Sequence, residues 1–157
     1  GIDFHRLEEG RELWLGGIHI PSAKGCVAHS DGDVLIHAIC DALLGAAGLR
    51  DIGFYFPDTS DEFKNIDSKL LLKRTVRLIT EKGYHIINID STLCLEKPKI
   101  SPFIEEMCST LADVAGIPCD CVAVKATTTE KMGFTGRGEG IVAMAICLIS
   151  EKISDFS

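Results

Sequence analysis

The chain has 157 residues with a formal net charge of −7, and 46% of its residues are hydrophobic while 25% are charged. This composition excludes intrinsic disorder and collagen-like or mucin-like chains. The length suits one domain, so we expect residues 1–157 to form a single domain around one core. The acidic balance argues against non-specific binding to nucleic acid or to an anionic membrane surface.

Hydrophobic periodicity and turn residues predict alternating strands and helices along the whole chain. The predicted elements are, in chain order, a strand at 1–5, a hairpin at 12–21 turning at Gly16–Gly17, a helix over 34–46 capped by Ser30 or Asp31 and stopping near Gly48, a helix at 67–83, a strand at 85–95, a helix at 102–115, and strands at 121–126 and 141–149.

This order mixes one crossover connection with hairpins, which predicts an α+β fold rather than a doubly wound parallel sheet. We expect a mixed, largely antiparallel sheet with helices on one face. The final strand is apolar at nearly every position from Ile141 to Ile149, so the other face of the sheet needs a cover. Association of several copies through their sheets would provide it.

Two further features concern the compartment. The seven cysteines form an odd, scattered set without a CxxC motif, which indicates reduced core residues of an intracellular protein. The longest apolar stretch is too short to span a bilayer, and the N-terminus lacks a signal-peptide pattern. We expect a cytoplasmic protein, or a plastid protein whose transit peptide has been removed.

A candidate metal site combines the first strand with the first helix. Asp3 and His5 are two residues apart on a predicted strand, so their side chains share one face. His37 interrupts an apolar helix and has Asp33 and Asp41 one turn away on either side. One Asp and two His suit zinc with an open fourth position, and Asp33 or Asp41 could orient His37. The alternatives are a surface strand end and a helix with a solvated acidic edge.

The segment from His29 to Asp33 directly precedes the helix that carries His37. Free backbone N–H groups and the helix dipole favour a phosphate there, although simple capping of the helix by Ser30 or Asp31 is the strong alternative. A serine hydrolase is disfavoured because Ser30 does not lie in a Gly-x-Ser-x-Gly elbow.

Four loop segments offer ligands for phosphates, hydroxyls and a hard cation. Thr127–Glu130 combines hydroxyls with a carboxylate that suits Mg²⁺, and Arg137 lies in the glycine-rich run 133–140 as a planar donor for phosphate. Asp51–Gly53 and Phe56–Thr59 carry carboxylates that suit sugar-like hydroxyls. The plain alternatives are strand-forming threonines and ordinary turns.

Together and in this order, these segments resemble the 2-C-methyl-D-erythritol 2,4-cyclodiphosphate synthase family of the non-mevalonate isoprenoid pathway. The resemblance covers nearly the whole chain, and the HSDGD, KATTTEK and GFTGRGEG strings are jointly highly specific. The residues that carry it are Asp3–His5, Ala28–Asp33, His37, Asp41–Ala46, Asp51–Gly53, Phe56–Thr59, Lys125–Lys131 and Gly133–Gly140.

The resemblance implies a lyase that converts 4-diphosphocytidyl-2-C-methyl-D-erythritol 2-phosphate to the cyclic diphosphate and CMP. In that reaction the 2-phosphate of the substrate attacks its own β-phosphate. The family also implies a homotrimer with active sites between subunits, one zinc ion and one Mg²⁺ or Mn²⁺ per site, and an isoprenoid diphosphate as a further ligand in the central channel.

The implied site residues follow from the matching positions. The zinc ligands would be Asp3, His5 and His37, and the ligand of the second metal would be Glu130. The transition state would be stabilised by His29 and Thr128. The substrate contacts would be Asp3, Phe4, His5, His29, Ser30, Asp51, Ile52, Gly53, Phe56, Pro57, Asp58, Thr59, Ser60, Leu95, Glu96, Lys97, Pro98, Lys99, Ile100, Ser101, Ala126, Thr127, Thr128, Thr129, Glu130, Phe134 and Arg137.

Two other functions are compatible with the same residues. A zinc-dependent nucleotide hydrolase would use the metal site to activate water and would release monophosphates from simple nucleotides. A non-catalytic sensor of nucleotides or isoprenoid diphosphates would use the apolar last strand together with Arg137 and Glu139.

Overall fold

The computed structural model describes residues 1–152. Its strands are β1 Ile2–Glu9, β2 Leu13–Leu15, β3 Ile18–Ile20, β4 Lys24–Val27, β5 Tyr84–Cys94, β6 Val122–Thr127 and β7 Gly140–Glu151. Its α-helices are α1 Val34–Ala46, α2 Ile52–Tyr55, α3 Ser68–Glu81, α4 Ile104–Ala115 and α5 Gly133–Gly136. Short 3₁₀ turns lie at Asp61–Phe63, Ser101–Phe103 and Cys119–Cys121.

A five-stranded sheet forms the centre of the fold, in the order β4-β1-β7-β5-β6. Only the β5–β6 pair is parallel, and α4 lies in the crossover between these two strands. The predicted α+β class and the mixed, largely antiparallel sheet are therefore confirmed. The hairpin of β2 and β3 forms a separate two-stranded sheet.

The two faces of the sheet differ in their cover. On β7, Ile141, Ala143 and Ala145 are buried and belong to the core, whereas Met144, Ile146 and Leu148 are exposed. Because successive strand residues point to opposite faces, the core lies on one side of β7 and an apolar surface on the other. Ile146 retains 77% of its accessible surface. The long helices α1, α3 and α4 contact the sheet strands.

Several local details differ from the sequence-based predictions. The first strand runs on to Glu9, and the short strand β4 was not predicted. Helix α1 is capped by Asp33, so the predicted caps Ser30 and Asp31 are wrong. Residues 119–121 form a 3₁₀ turn rather than strand.

Asp33 joins the hairpin to helix α1. Its fully buried carboxylate accepts hydrogen bonds from the backbone N–H groups of Gly16 and Gly17, at 3.0 and 2.6 Å, and from that of Ile36 at 3.0 Å. Both glycines have positive φ, 61° and 81°, as a two-residue hairpin turn requires. Burial raises the pKa of Asp33, while these hydrogen bonds lower it.

The structure also describes the state of the cysteines and the lengths of the helices. All seven cysteines are free, and six are buried or half-buried, but Cys119 is exposed. Burial raises the pKa of Cys40 to about 12, which removes its thiolate reactivity near neutral pH. Within residues 1–152, no helix is long and apolar enough to cross a membrane.

Asp33→Ala is expected to lower the free energy of unfolding by about 3 kcal/mol, because it removes a helix cap and leaves buried N–H groups without an acceptor. The matched control is Asp67→Ala, which removes the more exposed cap of α3 and one hydrogen bond to the N–H of Lys69. The control is expected to cost about 1 kcal/mol. Urea unfolding at equal protein concentration measures both, and equal losses would contradict the linking role of Asp33.

Candidate functional site

Three metal-ligating side chains converge where α1 crosses β1. Asp3 and His5 lie on the same face of β1, and His37 reaches them from the first turn of α1. The Nδ1 atoms of His5 and His37 each lie 3.1 Å from Asp3 Oδ2. One ligand atom from each of the three residues lies within 4.8 Å of the others, as a single bound ion requires. The predicted convergence of the three residues is therefore confirmed.

The electrostatics of this cluster favour a cation. Burial would raise the pKa of Asp3, but the adjacent imidazoles of His37 and His5 hold it well below the usual range of an aspartate. The buried Nδ1 atom of His5 lies 3.1 Å from Asp3 Oδ2 but makes no aligned hydrogen bond with any described residue. An orphaned imidazole nitrogen beside an ionised carboxylate is a donor set of the kind that borderline divalent metals accept. The residues present therefore fit a zinc-type ion.

The opposite edge of the His37 ring is held by serines rather than by the predicted aspartates. His37 Nε2 lies 3.1 Å from Ser68 Oγ and 3.2 Å from Ser30 Oγ. The prediction that Asp33 or Asp41 orients His37 is wrong. The Asp33 carboxylate accepts hydrogen bonds from the hairpin turn and from its own helix, and Asp41 Oδ1 accepts one from the N–H of Ile52 at 2.7 Å.

A cavity of about 380 Å³ opens beside the metal cluster. Asp41 helps to form it, because its hydrogen bond ties the segment that begins at Ile52 to α1. His29 is positioned by a hydrogen bond between Nε2 and the carbonyl oxygen of Ser60, at 3.1 Å. The lining residues are Asp3, His5, Ala28, His29, Ser30, His37, Ile52, Gly53, Phe56, Asp58, Phe63, Ile66 and Leu71.

Some predicted substrate contacts do not line this cavity. The Phe4 side chain is 55% exposed and lies beside Phe134, with ring centroids 6.2 Å apart, whereas its strand neighbours Asp3 and His5 line the cavity. The other predicted residues of the 51–60 region that do not line it are Asp51, Pro57, Thr59 and Ser60.

A second group of predicted residues surrounds the loop after β6. Glu96 holds this loop, because its Oε1 accepts the N–H groups of Thr129 and Lys131 at 3.2 and 3.1 Å. Glu130 and Lys131 have φ values of 53° and 65°, a backbone conformation that costs energy for residues other than glycine. Thr128 Oγ1 donates to Glu130 Oε1 at 3.0 Å. The Glu96 carboxylate therefore stabilises a strained loop.

This second group borders a basic cavity of about 1040 Å³. The predicted residues that line it are Glu96, Lys97, Pro98, Lys99 and Arg137. Lys24 and Lys131 add two further positive charges in a chain whose net charge is −7. Leu95 and Ile100 are buried in the core, so their side chains are not free to contact a ligand.

The two groups are separated within one chain. In the sheet register, Asp3 pairs with Ala143, Ala143 with Leu93, and Leu93 with Ala126, so Asp3 and Ala126 lie in one row. Three interstrand spacings place their backbones about 14 Å apart. The two cavities share no lining residue.

Sequence reasoning missed several residues of the site. Phe63, Ile66 and Leu71 line the metal cavity, but their apolar character indicated core positions. Ser68 follows the helix-capping Asp67, and nothing in the local sequence marks it as a partner of His37. The role of Glu96 depends on two strands that are distant along the chain.

Comparisons with known proteins agree in both sequence and fold. The sequence model of the YgbB family matches residues 1–150. A 2-C-methyl-D-erythritol 2,4-cyclodiphosphate synthase of Bacteroides fragilis is 62% identical over 150 residues, covering 96% of this chain and 94% of that protein.

Two solved structures have the same fold. The bifunctional IspDF of Campylobacter jejuni superposes with a TM-score of 0.93 at 43% identity, covering 97% of this chain and 41% of that longer chain. A 2C-methyl-D-erythritol-2,4-cyclodiphosphate synthase in a CDP-bound form superposes with a TM-score of 0.88 at 37% identity, covering 96% of this chain and 97% of that chain.

The chelator-stripped protein is expected to bind one Co²⁺ per chain at the cluster of Asp3, His5 and His37. Removing a ligand in His37→Ala is expected to weaken binding by more than the roughly 10–100-fold typical of losing a residue that only supports a ligand. Calorimetric titration with Co²⁺, followed by its visible absorption, measures both.

The matched control is His85→Ala, because His85 is an exposed histidine on β5. It is expected to bind Co²⁺ as the unmodified protein does. Unchanged binding by His37→Ala would contradict the assignment of the cluster as a metal site.

Proposed function

The chain belongs to the YgbB family, that of the 2-C-methyl-D-erythritol 2,4-cyclodiphosphate synthases, and we propose that its two cavities together perform the cyclisation. The reaction places it among the phosphorus–oxygen lyases of isoprenoid biosynthesis. The 2-phosphate oxygen of the substrate forms a bond to the β-phosphorus, and the bond from that phosphorus to the oxygen bridging it to the α-phosphate breaks, releasing CMP. The nucleophile belongs to the substrate, so the protein has to position groups and neutralise charge.

Asp3, His5 and His37 would hold a zinc ion, and the orphaned Nδ1 of His5 is the observation that supports it. The ion supplies Lewis-acid polarisation of a phosphate oxygen and a fixed point for orienting it. Glu130 would hold Mg²⁺ or Mn²⁺ with the phosphates as its other ligands, a common arrangement for Mg²⁺.

His29 and Ser30 lie beside the metal cluster in the same cavity. With His29 Nε2 facing the Ser60 carbonyl, the ring is fixed in orientation and can stabilise charge that develops on a phosphate. Asp58 and the backbone of Ile52–Gly53 also line this cavity, so they would bind the hydroxyl groups of the methylerythritol unit. Phe56 and Leu71 contribute apolar side chains to its lining.

The basic cavity would bind the cytidine diphosphate part of the substrate. Lys97, Lys99 and Arg137 provide positive charge, and Glu96, which also lines the cavity, holds the threonine loop next to it. Thr128 would contact the transferring phosphate, since it lies next to Glu130 and donates a hydrogen bond to its carboxylate.

A homotrimer would bring the two cavities together. One substrate molecule must reach the metal cluster and the basic cavity at once, yet these lie three strands apart in one chain. The exposed apolar face formed by Ile2, Met144, Ile146 and Leu148 offers an interface for neighbouring copies. In a closed ring, the metal cluster of one subunit can face the threonine loop of the next.

The convergence of Asp3, His5 and His37 beside the cavity carries the proposal. A nucleotide hydrolase would use the same ligands but would also need a general base to activate water. His29 and Asp58 line the cavity, so the reaction product distinguishes the two functions. A sensor would need no metal ligands at all.

Phosphorus-31 NMR of the protein with the diphosphocytidyl substrate, Zn²⁺ and Mg²⁺ is expected to show CMP together with a cyclic diphosphate. His37→Ala is expected to abolish both signals, while His85→Ala retains them. A linear phosphate product beside CMP would establish the hydrolase instead, and binding without any reaction would establish the sensor.

Mixing two inactive variants is expected to restore activity, because each supplies the half-site that the other lacks. His37→Ala removes the metal half, and Glu130→Gln removes the half on the loop. Random assembly of equal amounts into rings is expected to give about a quarter of the unmodified rate, since one pairing in four has both halves intact.

The assay is run after unfolding and refolding the two variants together, with each refolded alone as the control. No recovery of activity in the mixture would contradict a site shared between subunits.

A further inference from the structure

The chain of hydrogen bonds behind His37 continues to Asp31. Ser68 Oγ donates to Asp31 Oδ1 at 2.5 Å and lies 3.1 Å from His37 Nε2. The backbone N–H of Ser68 donates to Asp31 Oδ2 at 2.8 Å, and the N–H of Asp33 donates to Oδ1 at 3.1 Å. Ser68 is fully buried.

These contacts fix the direction of each hydrogen bond. Ser68 has a single hydroxyl proton, and it is directed to Asp31 Oδ1. Ser68 Oγ therefore faces His37 Nε2 with a lone pair, so Nε2 is the donor in that contact. When Nε2 carries the only ring proton, the lone pair of the imidazole lies on Nδ1, the atom that faces Asp3 and the metal cluster.

We propose that Asp31 and Ser68 are positioning residues that hold His37 in the Nε2–H tautomer, with its Nδ1 lone pair directed to the metal. The inference deepens the metal site of the proposed function and rests on that function for the identity of the ion. A metal-ligating histidine commonly donates its other ring N–H to a carboxylate or carbonyl. Here a buried serine carries that connection to a carboxylate on another segment.

The arrangement also defines what Ser30 can do. Ser30 Oγ accepts the N–H of Gly32 at 3.2 Å and lies 3.2 Å from His37 Nε2. Because His37 is the donor, Ser30 keeps its hydroxyl proton for another partner. Ser30 lines the metal cavity, so its hydroxyl is available to donate to a phosphate oxygen of the substrate.

The first test is the tautomer of His37 in the zinc-loaded protein. Nitrogen-15 NMR of the histidine-labelled chain with Zn²⁺ bound is expected to show Nε2 protonated and Nδ1 without a proton. The zinc-loaded His37→Ala spectrum assigns the signal. A ring that binds zinc through Nε2 and carries its proton on Nδ1 would overturn the proposal without any variant of Ser68.

The second test removes the connection. Ser68→Ala is expected to weaken Co²⁺ binding about 10–100-fold and to give a mixture of His37 tautomers. Asp31→Asn is expected to move both readouts in the same direction, because its amide can donate to Ser68 Oγ and release the hydroxyl proton. Ser68→Thr keeps the hydroxyl and is expected to restore both.

The matched control is Ser91→Ala, since Ser91 is also a buried serine but donates to the carbonyl oxygen of Ala123 on β6. It is expected to leave Co²⁺ affinity and the His37 signal unchanged. Equal effects in Ser68→Ala and Ser91→Ala would overturn the proposal.

Neither the Co²⁺ affinity nor the His37 tautomer requires turnover. The proposed function and the positioning role of Asp31 and Ser68 can therefore be rejected independently. Metal binding with the expected tautomer but no cyclisation would reject the function and keep the positioning role. Cyclisation in a protein whose His37 tautomer is unaffected by Ser68→Ala would do the opposite.

Discussion

The buried carboxylate of Asp33 is the contact on which the geometry of the site depends. It starts helix α1 and simultaneously binds the turn of the β2–β3 hairpin. His37 lies one helical turn later, so the start of the helix decides where its imidazole meets Asp3 and His5 on β1. The neighbouring Asp31 holds the first turn of α3 against the same loop through Ser68. Asp33 thus connects the hairpin to α1, and Asp31 connects α3 to the ring of His37 through Ser68.

The sheet separates the metal cluster from the threonine loop within one chain. The metal cluster and the threonine loop lie at similar heights in the sheet, but β7 and β5 stand between them. Positive charge is concentrated around the second half, where Lys97, Lys99 and Arg137 border one cavity despite the acidic net charge. Local placement of charge, rather than the sum over the surface, therefore decides which anions the protein can bind. In the proposed function, copies of the chain associate through the apolar outer face of the sheet and bring the two groups together.

The sequence predicted those parts of the molecule that depend on local periodicity. The hairpin at Gly16–Gly17, helix α3 and the convergence of Asp3, His5 and His37 were predicted correctly, because residue spacing sets the strand and helix faces. Contacts between segments that are distant along the chain have no periodic pattern in the sequence, so they were not predicted.

The acidic residues near His37 show that helical spacing alone does not predict the partners of a side chain. Asp33 and Asp41 have the helical spacing of partners for His37, yet backbone N–H groups from the hairpin and from Ile52 compete for their carboxylates. Ser68 is 31 residues from His37 along the chain, so only the fold brings it behind the ring.

Anomalous diffraction at the zinc edge, from crystals grown with Zn²⁺ and cytidine diphosphate, tests the central claim most directly. The account predicts one zinc ion per chain, about 2.0–2.1 Å from His37 Nδ1 and from ligand atoms of Asp3 and His5. It also predicts that the nucleotide whose phosphates face this zinc ion has its cytidine bound to the Lys97–Ser101 segment of a neighbouring subunit. An ion bound elsewhere would contradict the account. So would a nucleotide that contacts the zinc ion and the Lys97–Ser101 segment of the same chain.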